Sequence, residues 1–188
     1  TTPAISSAAS DVYKRQGVTA SNKTYDGGNN ASMDGTSAVY SGLVSGDTFN
    51  GTYTGVFSDK NVGTGKTVTI TSSYSGADVS NYSVTDQSST TANITAKSLT
   101  VSGITASDKI YDGSTSATLD PSLVVYGGLV AGDTFNGSYT GVFSNANVGT
   151  GKTVNITPSY SGADVNNYSV TDQSTTTANI SAKVLTAT

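Results

Sequence analysis

The chain has 188 residues, 35% hydrophobic and 12% charged, with a formal net charge of −4. It lacks Cys, His, Trp and Glu, which excludes disulfide scaffolds, Cys/His zinc sites, Ser/His and Cys/His nucleophiles and any acid/base pair that includes Glu. No enzyme, metal or cofactor is expected. The acidic balance argues against nucleic acid as a partner, and no run reaches the roughly 18 apolar residues of a membrane span.

Residues 1–16 stand apart. Asp11-Val12-Tyr13-Lys14-Arg15-Gln16 looks like the in-frame translation of a transposon-end adapter used in DNA library preparation, and it holds the only Arg. The segment is expected to be a non-native leader on a metagenomic fragment. From Gly17 onward the sequence repeats itself: residues 17–102 align with 103–188 at a constant offset of 86, without a gap, and 61 of the 86 positions are identical. A unit of this length folds on its own, unlike a solenoid turn. Two tandem domains are therefore expected, 17–98 and 99–188. The second is preceded by the strand-like Lys97-Ser98-Leu99-Thr100-Val101-Ser102. The first has leader residues there, so its first strand is expected to be improvised from Val12, Tyr13 and Lys14, or missing.

Thr, Val, Tyr and Ile favour pleated sheet, and residues that support surface helices are scarce. The expected fold class is all-β: two small β-sandwich domains, Ig-like or a β-grasp-like variant, arranged end to end. In chain order the first unit predicts a turn at Asp26-Gly27, a strand over 38–40 and a turn at Ser45-Gly46-Asp47. The β-grasp variant would instead place a short helix near 42–47. Asn50-Gly51 has the chemistry of a two-residue type I′ hairpin, followed by a strand over 52–58 and a glycine-rich turn at Gly63-Thr64-Gly65. Alternation over 67–74 predicts a half-buried strand with Val68, Ile70 and Tyr74 inward. A turn at 75–78 and strands over 82–85 and 90–96 complete the unit. The expected core is Val39, Leu43, Phe49, Tyr53, Phe57, Val68, Ile70, Tyr74, Tyr82, Val84 and Ile94, with the residues 86 positions on. The inward parity flips between Ala96 and Leu99, so one strand ends and another begins there, leaving Lys97 and Ser98 as the linker.

Several patterns invite a chemical reading. Ala146 to Thr153 satisfies a loose phosphate-loop pattern, but Val154-Asn155-Ile156 continues as a strand where a helix is required. Asp26, Asp34, Asp47, Asp59, Asp78 and Asp86 are too dispersed for a calcium loop and read as turn residues. Lys66, Asn61 and Asp59 carry the residue types of an intramolecular isopeptide bond, but Asp59 becomes Asn145 in the second copy and Lys66 is expected in an exposed loop. Asn50, Asn81 and Asn93 lie in glycosylation sequons that a Ser/Thr-rich chain produces by chance. The stretch 28–38 differs from 114–124 at 9 of 11 positions, so it is the best candidate for a ligand-contacting loop. No catalytic, binding or metal residue is assigned.

Five motifs in register carry a resemblance: Leu99-Thr100-Val101, Lys109-Ile110-Tyr111-Asp112-Gly113, Gly128-Leu129-Val130-Ala131-Gly132-Asp133, Asn147-Val148-Gly149-Thr150-Gly151-Lys152 and Ser161-Gly162-Ala163-Asp164-Val165-Asn166-Asn167-Tyr168. Together they resemble the YDG domain of large bacterial surface proteins of the filamentous-haemagglutinin-like adhesin type. The resemblance implies an extracellular β-domain in tandem arrays between an export apparatus and an adhesive tip, with no catalytic residues. The expected role is a stalk or spacer of a secreted adhesin at the bacterial cell surface, and the alternative is a glycan- or receptor-binding module. Its expected partners are neighbouring repeats of the same polypeptide and a host or matrix glycan. A monomer is expected.

Overall fold

The computed structural model describes residues 17–187, so the expectations for the leader and for the first strand of repeat 1 lie outside the described residues. The chain is all-β with two tandem units. The first unit runs to Thr95 but omits Tyr25–Gly27; the second comprises Ala96 onward together with Tyr25–Gly27.

Each unit is organised by one long hairpin. In the first, the strand Asn50–Phe57 pairs antiparallel with Gly63–Ser75, from Asn50 opposite Ser75 to Phe57 opposite Val68. Alternation sorts the side chains as expected: Thr67, Thr69, Thr71 and Ser73 face water, and Val68 and Ile70 are buried. Ser89–Thr95 adds a third antiparallel strand, and the two-residue strands Lys23–Thr24 and Asn30–Ala31 close the edges of a five-stranded sheet. The second unit repeats this sheet with Lys109–Ile110, Thr175–Ser181, Gly149–Ser161, Asn136–Phe143 and Ser116–Ala117 in order. Its inner face buries Phe143, Val154, Ala178 and Ile180, with Ala106, Ala117 and Leu119 packed against them. Phe57, Val68, Ala92 and Ile94 are the buried counterparts in the first unit.

A three-stranded sheet is described in the second unit alone. Lys97–Ser102 lies between Val125–Gly127, antiparallel, and Tyr168–Thr171, parallel, with Leu99 and Val101 buried. The expected parity flip is real, but the break falls on Ala96 alone: Ser89–Thr95 ends just before it, and Lys97 and Ser98 are already strand residues rather than linker. An aromatic cluster sits beside this sheet. Phe135 meets Tyr126, Tyr160 and Tyr168 at centroid distances of 5.0–5.7 Å, and Phe49 meets Tyr40, Tyr74 and Tyr82 in the same way at 5.0–5.6 Å.

Several local expectations are corrected. Asn50-Gly51 and Asn136-Gly137 do not form hairpin turns but open the first strand of each long hairpin. The glycine serves the rings instead, since a Cβ on Gly51 would lie 2.0 Å from the Tyr53 hydroxyl and 2.3 Å from that of Tyr40. Gly63-Thr64-Gly65 is likewise strand, with a bulge between Gly63 and Lys66 where Gly65 takes a φ of 59°. Residues 42–47 form turns, not a helix; the helical turns are the 3₁₀ segments Val79–Asn81 and Val165–Asn167. Val39 is 59% exposed and Val125 is similarly exposed, because the backbone turns Tyr40 and Tyr126 inward onto Phe49 and Phe135 instead. Residues 82–85 form no strand in the first unit, although Tyr168–Thr171 does in the second. The variable stretch 28–38 is not a free loop. It holds the edge strands Asn30–Ala31 and Met33–Asp34, and Met33 packs over Gly55 as Leu119 does over Gly141.

Candidate functional site

Turn chemistry assembles a polar site in the second unit. In the second unit, Gly132 adopts a φ of 90° and the Asp133 amide donates to the Val130 carbonyl at 3.2 Å. This tight turn brings the Asp133 carboxylate in front of Tyr168, whose hydroxyl donates to Asp133 Oδ2 at 2.6 Å and accepts from the Val130 amide at 2.9 Å. Asp164, just before the 3₁₀ turn, receives the Thr134 amide on its Oδ2 at 2.9 Å. Burial, reinforced by the Asp133 carboxylate, pushes the Tyr168 phenol up to about 12.

Into this arrangement fits Tyr25. The Tyr25 side chain is 1% exposed, its ring meets that of Tyr168 edge to face at 5.6 Å and 77°, and its hydroxyl donates to Asp133 Oδ2 at 2.8 Å. Asp164 Oδ1 stands 3.5 Å from the same hydroxyl. Gly27 completes the fit, with a φ of 81° and so little room that an added Cβ would lie 2.8 Å from Val130 Cγ1. Asp164 and Asn167 are consequently buried at 7% and 3% exposure. The Tyr25 phenol is thus a neutral donor placed between two carboxylate acceptors, closer to Asp133 than to Asp164.

The first unit carries the same wiring. The Tyr82 hydroxyl donates to Asp47 Oδ2 at 2.5 Å and accepts from the Val44 amide at 3.0 Å, while the Thr48 amide donates to Asp78 Oδ2 at 2.8 Å. The hydrogen bond to Asp47 holds the Tyr82 phenol above its ordinary value. The counterparts of Tyr25–Gly27 in the second repeat are Tyr111–Gly113, and Tyr111 is 40% exposed.

The residues singled out from sequence fall elsewhere. Lys152, in the loose phosphate-loop pattern, lies within the strand Gly149–Ser161 and donates to Asn145 Oδ1 at 2.6 Å. Lys66 and Asp59 do meet, as an ion pair of 2.7 Å, and the Asn61 amide donates to the same Asp59 oxygen. Lys66 is not in an exposed loop: its side chain is 11% exposed, laid along the bulge of its strand. The lysine holds the Asp59 carboxyl below the usual range. The Asn93 side chain accepts the Gly65 amide at 2.7 Å, while Asn50 and Asn81 are exposed. Among the described residues no three Asp side chains converge as a metal site. Sequence reasoning missed Tyr25 as a buried residue; the signal was the joint recurrence of Tyr-Asp-Gly, Gly-Asp-Thr-Phe and Gly-Ala-Asp-Val in both copies.

No curated protein and no solved structure matches the chain. A family model, that of the YDG domain, matches it twice in tandem, over residues 11–92 and 95–178. These matches cover most of the chain and contain both Tyr-Asp-Gly turns and both Asp–Tyr pairs just described, and the chain therefore belongs to the YDG domain family.

Proposed function

We propose that the chain is a spacer segment, two stalk repeats of a secreted bacterial surface adhesin that hold a binding tip away from the cell. The observation that carries this reading is the placement of Tyr25: by sequence it belongs to the first repeat, and by packing it is a buried part of the second unit. A repeat whose turn completes the unit after it is suited to serial use in one polypeptide. The hydroxyl-rich outer faces of the long hairpins support the same reading, since rows such as Thr67, Thr69 and Thr71 keep most of that surface hydrated, with single exposed valines such as Val56 among them. Extracellular location and neighbouring repeats as partners follow from this role.

A glycan array probed with the whole chain tests the proposal. A spacer binds no glycan. Saturable binding to one glycan class, abolished by substitution of exposed Tyr or Asn side chains, would replace the spacer by the glycan-binding alternative.

A further inference from the structure

The two units supply the same socket in two states. In the second, Asp133, Asp164 and Tyr168 enclose Tyr25, and Asp164, Asn167 and Tyr168 are buried. In the first, the equivalent Asp78 and Tyr82 are half-buried, Asn81 is exposed and Val44, the counterpart of Val130, is 61% exposed. The hydrogen bonds that shape the socket are nevertheless the same in both, from the Tyr82 hydroxyl to Asp47 and from the Thr48 amide to Asp78. Among the described residues, the first socket therefore keeps its shape without a counterpart of Tyr25 in it.

The turn that fills the second socket likewise keeps its shape where it is exposed. Gly27 and Gly113 share a φ of 81°, although the first presses on Val130 and the second has nothing within 4 Å of a built Cβ. Lys109 fixes the exposed turn by donating to the Ser114 and Ser116 carbonyls at 2.9 and 3.1 Å and to the Asp112 carboxylate at 2.8 Å. Lys23 holds the buried turn through the corresponding carbonyls of Gly28 and Asn30, at 2.9 and 3.2 Å. Preorganisation on both sides removes most of the ordering cost of association.

We propose that the socket of Asp47, Asp78 and Tyr82 binds the Tyr111-Asp112-Gly113 turn of a second copy of the chain, with Tyr111 in the role that Tyr25 plays in the second unit. The contact is heterologous, turn to socket, and so propagates from copy to copy. This inference rests on the spacer reading, in which the same contact forms between consecutive repeats of one polypeptide. There the linkage supplies an effective concentration of the order of millimolar, so a weak intrinsic affinity suffices.

Intermolecular titration of the whole chain tests it. Dilute ¹⁵N-labelled chain receives unlabelled chain up to about 2 mM, the range of the effective concentration it must match, and the amide resonances of Val44 and Thr48 are followed. Both are expected to shift progressively, while Val130 and Thr134, in the socket already filled by Tyr25, stay in place. Unlabelled Tyr111→Ala is expected to bind about tenfold or more weakly, the loss of a hydrogen bond to a carboxylate together with its ring. Tyr111 is exposed, so this variant folds, and its own spectrum shows that it has. Stationary Val44 and Thr48 resonances, equal shifts in both sockets, or an undiminished response to the Tyr111→Ala chain would each overturn the inference. Any of these together with a blank glycan array would leave the spacer reading standing, whereas glycan binding would remove that reading itself.

Discussion

Tyr25 and Tyr168 turn their hydroxyls onto a single carboxylate oxygen: both donate to Asp133 Oδ2, at 2.8 and 2.6 Å, while their rings meet edge to face. The pair makes Asp133 the centre of the second unit's polar core. Asp133→Ala therefore removes an acceptor from two buried hydroxyls at once. It is expected to destabilise that unit by about 2–4 kcal/mol, each hydroxyl left without its charged acceptor costing about 1–2 kcal/mol. Urea unfolding followed through tyrosine fluorescence measures it.

The Tyr168 phenol, pushed up to about 12 by burial and by Asp133, gives the unit an alkaline limit. A group whose folded value lies above its unfolded one stabilises fully below the unfolded pKa, about 10 for tyrosine, and loses that contribution as pH rises through the folded value. The contribution of Tyr168 to the stability of the second unit is thus expected to be constant below pH 10 and to be lost between pH 10 and 12. In Asp133→Ala the Tyr168 value itself should drop, because one of the causes holding it up is gone. Carbon-13 titration of the tyrosine ring resonances reads both.

Asp112 shows the opposite shift. The Lys109 ammonium, followed by the Ser114 amide, lowers its carboxyl to about 2. The sign is that of a depressed acid: the contribution to the turn is present above the ordinary carboxylate value and is lost as pH falls through about 2. Lys109→Met is expected to return the Asp112 titration toward about 3.9 and to loosen the turn, seen as faster amide exchange at Ser114.

Gly27 and Gly113 form a matched pair for separating backbone strain from packing. Both have a φ of 81°, so an Ala at either carries the left-handed penalty of about 1–2 kcal/mol. Only at Gly27 does the added methyl also meet Val130, a stiff β-branched neighbour, and overpacking costs about 1–3 kcal/mol more. Gly27→Ala should therefore destabilise more than Gly113→Ala by about 1 kcal/mol or more in parallel denaturant melts.

Much of this architecture was legible in the sequence, and the failures have physical causes. The constant offset of 86 fixed two units of one fold, and the alternation around Val68 and Ile70 placed the central strand and its buried face, because a period of two survives wherever one face is wet. Asn-Gly was misread because its local preference for a turn is overridden by tertiary contacts, the Tyr53 and Tyr40 hydroxyls lying across Gly51. Gly63 to Gly65 was misread because a bulge uses the same residues as a turn. Val39 was placed inside because a three-residue stretch has no periodicity to fix its parity. Tyr25 escaped because its burial depends on Asp133 and Asp164, more than 100 residues away, and no local pattern reports a contact at that separation.

The most direct test of the account compares Tyr25→Ala with Tyr111→Ala in the whole chain by calorimetry, with peptide-level hydrogen exchange assigning each transition to its unit. Tyr25→Ala is expected to cost the second unit about 3–5 kcal/mol, the loss of a buried aromatic side chain, which lowers its melting temperature by more than about 10 °C for a domain of this size. Tyr111→Ala, an exposed substitution, should leave both units within about 0.5 kcal/mol of the parent. Equal effects of the two substitutions, or a Tyr25→Ala chain whose second unit melts unchanged, would contradict the assignment of the Tyr-Asp-Gly turn as a structural part of that unit.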